Sequence, residues 1–278
     1  MHGLKKVLFV FLFALTTPSF AADSPFFANE SVQRRHPEAF VLQPEAQSFV
    51  RNLEDETRLL RDALVAAIAG DPTLREALKT WETLSFDEQL PHLRRIFDLE
   101  VRLMGITAPE LIFDAQRIPG RAAYFDFDLK SPGAGKVILN PDVLAKMEKS
   151  AALALLIHET RHSAQLQLAF SPAWASSPAA RSYRAAFTAQ TTDIRSFCDF
   201  LTLANEFEAF QFGNYVLGRL SDWILDLTDM GTFASQYDAT GKLKLDLNQL
   251  RDNGDPRSLL EKFNEAETEQ CQLLGYCR

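Results

Sequence analysis

Cysteine, glycine and proline are all scarce in this 278-residue chain, with three, twelve and thirteen copies, and no two cysteines form a C-x-x-C pair. So little Gly and Pro, without a repeating period, excludes collagen-like and low-complexity chains. The missing pair argues against a cysteine-ligated metal. Positive charge is not in excess either: 29 Lys and Arg stand against 37 Asp and Glu, a formal net charge of -8. Nucleic acid and an anionic membrane surface are therefore poor partners. Past the first twenty-odd residues, no apolar run approaches the roughly 20 residues needed to span hydrocarbon. What the chain does have is 46% hydrophobic residues, 22 of them Phe, enough for a sizeable core without disulfide or metal support.

The N-terminus reads as an export signal. Lys5-Lys6 form a basic start, residues 7–15 an apolar stretch, and residues 16–21 a small, polar end, with cleavage expected after Ala21. The expected divisions are a signal peptide at 1–21, a helical region at 22–110 and a chemistry-bearing region at 111–278. Export to the periplasm or the cell exterior would put Cys198, Cys271 and Cys277 in an oxidising compartment. One disulfide plus one free thiol is the simplest count. A Cys271–Cys277 bridge would close a small C-terminal loop, whereas Cys198 with either partner would pin the tail to the middle of the chain; the spacing does not choose.

Periodicity predicts an α+β fold that is predominantly helical. Residues 45–104 show helical spacing in three pieces, punctuated by Asp71-Pro72, the Ser85/Glu88 capping box and a stop at Gly105. Residues 121–129 partly alternate, 131–135 form a turn, and 136–139 read as a second strand, together a hairpin or part of a small sheet. Helices follow over 144–170 and 193–225. The alternating Leu243, Leu245 and Leu247 suggest a strand, and 258–272 a final helix.

The 144–170 helix carries His158-Glu159-Thr160-Arg161-His162, an H-E-x-x-H match. Residues four apart share a helix face, so both imidazoles can reach one Zn²⁺ while Glu159 stands beside them, able to take a proton from water. The bland alternative is a helix emerging into solvent with an ordinary polar face. Against it, seven apolar or small residues precede the motif, and burying such groups unpaired costs several kcal/mol, on the order of 2–7 for one polar group.

A catalytic zinc needs a third protein ligand. The metzincin extension is absent, since Gln165 and Leu168 stand where its Gly and His belong. Downstream lies Asn205-Glu206-Phe207-Glu208-Ala209-Phe210. With it the chain resembles the gluzincin branch of the zincin metallopeptidases, whose third ligand is a Glu on a second helix in an N-E or E-x-x-A setting. Phe210 departs from the CaaX-protease-like form, which has Asp there. Helical geometry favours Glu206, which shares a face with Thr202, Ala209 and Gly213, small residues that allow close approach to the motif helix. Glu208 and Asp199 are the reserve ligands.

The resemblance implies a zincin-like region with a small sheet or hairpin before the active-site helix. Zn²⁺ would be held by His158, His162 and Glu206, and Glu159 would be the general base. It also implies an edge strand that binds extended substrate, a role for which residues 137–139 lie in the right order, a plain core strand being at least as good a reading. Tyr183, Arg195 and Tyr215 are weaker candidates for an oxyanion stabiliser. The expected function is a secreted or periplasmic zinc metallopeptidase acting on a peptide or protein, cell-wall peptide included. A catalytically silent zinc-binding protein or a metal-free helical envelope interaction protein is the alternative.

Overall fold

The computed structural model of the chain describes residues 24–192, 194, 196–225 and 236–277. The expected signal peptide and Arg195 lie outside these residues.

The three N-terminal helical pieces form as α1 (Gln47–Gly70), α2 (Pro72–Lys79) and α3 (Phe86–Met104). Their ends follow the residues that mark them. The Asp71 side chain accepts from the backbone N–H groups of Thr73 and Leu74, Ser85 and Glu88 close a reciprocal capping box, and Gly105 takes the left-handed conformation at φ 63°. Along α1 the buried residues Phe49, Val50, Leu53, Thr57, Arg61, Leu64 and Ile68 recur every three or four positions, the stripe of a helix packed on one face.

A three-stranded sheet follows: β1 (Glu110–Phe113), β2 (Ala123–Asp126) and β3 (Lys136–Leu139). The anticipated hairpin is β2 paired antiparallel with β3, and β1, which the sequence reading did not anticipate, joins parallel to β3. The order β1-β3-β2 puts residues 137–139 in the centre, which corrects the edge-strand expectation. The physical reason is their continuous apolar run: Val137, Ile138 and Leu139 are all buried, as a strand covered on both faces requires. The free edges belong to β1 and β2, and β2 alternates buried Phe125 with half-exposed Tyr124.

The motif helix α4 runs over Ala151–Phe170 rather than from 144. A separate turn at Pro141–Leu144, capped by Asn140, precedes it, and the Lys149 carbonyl is held by Trp81 Nε1 at 2.9 Å and Gln89 Nε2 at 3.1 Å. These tertiary bonds compete with helix continuation. The helix is closed at Ser171, and α5 (Pro178–Gln190) follows from a Ser177 cap.

The expected 193–225 helix is also divided. A turn at Phe197–Leu201 ends at Thr202, and α6 (Ala204–Leu220) starts afresh. The break occurs because Thr202 O accepts from Val41 N–H at 2.9 Å and Leu203 bridges Phe40 in extended conformation. The new start places Glu206 in the first turn of α6.

In the tail, the Leu243–Leu247 alternation does not form a strand. Tyr237 and Leu243 share one isolated bridge, and Leu247 instead opens α7 (Leu247–Asp252), whose cap is Asp246. The final helix is two, α8 (Leu259–Ala266) and α9 (Thr268–Leu273). Cys271 bonds Cys277, and Cys198 is a buried free thiol. Among the described residues no helix is long and apolar enough to cross a membrane.

One buried cluster runs through these elements. Helix α4 is at its centre, packed by α3, α5, α6 and the β2–β3 face, while α1 packs on α6. That explains why α4 is apolar nearly all round until the motif.

Candidate metal centre

Three ligand-type atoms meet where α4 faces the start of α6. His158 Nε2 and His162 Nε2 are 3.0 Å apart, and Glu206 Oε2 lies 3.2 Å from the first and 3.3 Å from the second. Metal–ligand bonds of about 2.0–2.2 Å in a tetrahedron put neighbouring ligand atoms about 3.3–3.6 Å apart, so this slightly tighter triangle is close to one face of a Zn²⁺ site. Two imidazole nitrogens at such a distance repel unless a proton or a cation lies between them. Among the described residues no hydrogen-bond donor is aligned on Glu206 Oε2, which suits an atom that donates its lone pair elsewhere. His158, His162 and Glu206 are 6, 3 and 4% exposed.

The electrostatics follow from that closeness. Burial alone would lower the His162 pKa, but the Glu206 carboxylate raises it to about 9. Burial would raise that of Glu206, yet the His162 charge and the approach of both imidazoles hold it at about 2. Glu159, buried next to the pair, has its pKa raised by desolvation, with the imidazole charges opposing and Glu206 adding to the rise. A carboxyl group whose proton affinity is increased is better suited to proton transfer near neutral pH.

Close packing of the two helices makes the meeting possible. At Gly213 a side-chain methyl would sit 3.7 Å from Ala154 O and 4.0 Å from His158 N, so α6 runs against the motif helix as the small-residue face suggested. Aromatic rings complete the walls: Phe210 lies 4.2 Å from the His158 ring and Phe125 5.9 Å from the His162 ring.

Outer contacts hold His162 and Glu206. Gln165 Oε1 is 2.7 Å from His162 Nδ1, and Gln190 Nε2 donates to Glu206 Oε1 at 2.5 Å while Gln190 Oε1 accepts from Asn205 Nδ2 at 3.0 Å. His158 Nδ1 has no partner among the described residues and lines a small cavity with Asn214, whose Nδ2 is also unpartnered. Sequence reasoning missed Gln165 and Gln190. The first could have been found as the residue one turn past His162; the second comes from the end of α5 and carries no spacing signal.

The reserve ligands are occupied elsewhere. Both Glu208 oxygens are 2.9 Å from Arg161 Nε. Asp199 accepts from Asn29 N and Nδ2 and from Gln33 Nε2, tying the N-terminal segment to the fold. Tyr183 lies with Arg161 and Glu208 in a buried network, its phenol pushed well above its usual range by burial and by Glu208. Tyr215 donates to Asp62 at 2.6 Å and accepts from Arg219. A phenol that does sense the site is Tyr124 of β2, raised mainly by burial and Asp126 and further by Glu159 and Glu206.

Compared with models of known families, with curated proteins and with solved structures, the chain matches none of them.

Proposed function

We propose that the protein is an exported zinc-dependent peptidase of gluzincin type. The observation that carries this reading is the convergence of His158 Nε2, His162 Nε2 and Glu206 Oε2 within 3.3 Å of one another, with Glu159 adjacent on the same helix. His158, His162 and Glu206 would hold the metal. When bound, zinc lowers the pKa of water from about 15.7 to about 7 and polarises a carbonyl. Glu159 accepts a proton from the attacking water and passes it to the leaving amine nitrogen. The β2 edge, next to the motif helix, offers unpaired backbone groups to an extended peptide. Protein and cell-wall peptide are both amide substrates of this chemistry. The signal-like N-terminus and the Cys271–Cys277 bridge support an oxidising, extracytoplasmic setting.

One observation favours a second reading. The four groups are at most 8% exposed, and closed sites are typical of structural zinc. Under that reading the protein holds zinc without turning over substrate, and in a third the helices serve an envelope partner without metal. The test is zinc stoichiometry on the folded wild type together with peptide hydrolysis by wild type and Glu159→Gln. A peptidase gives one zinc in both proteins and hydrolysis that the substitution reduces about 10²–10⁴-fold. Zinc without hydrolysis in either makes the centre structural, and no zinc in wild type removes the metal reading.

A further inference from the structure

We infer that Gln165 is the positioning residue of His162, and that the Arg161–Glu208 ion pair sets which way its amide points; the inference rests on the zinc reading above. The chain of contacts has one consistent direction. Arg161 Nε lies 2.9 Å from both oxygens of Glu208 and both side chains are buried, so the carboxylate is held in place as a pure acceptor. Gln165 Nε2 meets that carboxylate and also donates to the Asn205 carbonyl at 2.9 Å. Two acceptors on one side fix the amide nitrogen there. Only the amide oxygen is left for His162, at 2.7 Å from Nδ1. An oxygen facing Nδ1 requires a proton on it, and a neutral imidazole with Nδ1–H carries its lone pair on Nε2, the atom that faces His158 and Glu206.

The relay therefore uses the variable part of the motif. Arg161 occupies one of the two x positions of H-E-x-x-H, and Glu208 lies two residues past Glu206, so the anchor is built on the same two helices as the ligands. It also makes His162's outer partner a neutral amide instead of a carboxylate, leaving the negative charge one residue further out, on Glu208. His158, with no partner on Nδ1 among the described residues, has no such relay.

The experiment is a zinc titration against a chelator on the full exported chain, for wild type, Gln165→Leu and Glu206→Ala, with thermal unfolding of each protein in its zinc-free form. The expected result is a Kd raised about 10–100-fold in Gln165→Leu, the usual loss when an outer partner of a ligating His is removed, and little measurable binding in Glu206→Ala. A Gln165→Leu protein that unfolds at a lower temperature yet keeps the wild-type Kd within twofold gives Gln165 a merely structural role and overturns the inference, while zinc binding by wild type and its loss in Glu206→Ala leave the metal reading standing. A wild type that binds no zinc overturns both. If Gln165→Leu does not fold, the double variant Arg161→Met with Glu208→Leu is titrated instead: it removes the acceptor that orients the amide without leaving a lone buried charge, and a Kd unchanged from wild type overturns the relay.

Discussion

Arg161 Nε stands 2.9 Å from both carboxylate oxygens of Glu208, across the interface between the motif helix and the helix that carries Glu206. The guanidinium also lies 4.9 Å from the Phe212 ring centre. The pair is buried, and its two members sit next to or near metal-ligand candidates in sequence, so its integrity and that of the centre are coupled.

Breaking the pair from one side leaves a charge without its partner. Arg161→Met and Glu208→Leu are each expected to destabilise the fold by about 3–5 kcal/mol, and the double variant by clearly less than their sum. Urea unfolding of the four proteins checks this. Additive losses would mean that the charges do not interact as the distances imply.

Gly213 permits the helix contact, yet it leaves room for one methyl group: the nearest atoms to an added Cβ are 3.7, 3.9 and 4.0 Å away. Gly213→Ala should fold with unchanged zinc stoichiometry and gain up to about 1 kcal/mol from helix propensity. Gly213→Leu should force α6 from α4 and lose zinc. Calorimetry and metal analysis distinguish the two, and a Leu variant that keeps its zinc would refute the close-approach argument.

Glu267 is buried, with Oε2 unpartnered among the described residues, and burial raises its pKa from 4.5 to about 7. The folded state then keeps a proton that the unfolded state has released. The associated stability is complete below pH 4.5 and declines as pH rises towards 7, by up to about 3 kcal/mol. Glu267→Gln should flatten that slope in unfolding measured from pH 4 to 8. An unchanged slope would place the titration in another group.

The Cys271–Cys277 bridge spans six positions at the C-terminus. So short a loop restricts the unfolded chain modestly, and Cys271→Ser with Cys277→Ser is expected to cost roughly 2 kcal/mol. The bridge is remote in sequence from the centre. Zinc stoichiometry should be unchanged, and loss of metal on reduction would show a coupling that the contacts do not suggest.

Local signals in the chain determined a good deal. Asp71-Pro72, Ser85/Glu88 and Gly105 fixed helix ends because caps and stops depend on neighbouring residues alone. His158 and His162 were bound to share a face once their segment was helical, and the partly alternating texture of 121–129 marked a strand, which forms over Ala123–Asp126. Tertiary structure decided what depends on distant partners. Trp81 and Gln89 hold the Lys149 carbonyl where the motif helix would otherwise begin earlier, and Phe40–Val41 pair with Thr202–Leu203 and so restart the helix just before Glu206. Addition of β1 made 136–139 a central strand and left the edges to β1 and β2. Packing likewise sends the two carboxylates of α6 to different partners: Glu206 meets the imidazoles and Glu208 meets Arg161, a division set by which groups the fold brings within about 3 Å.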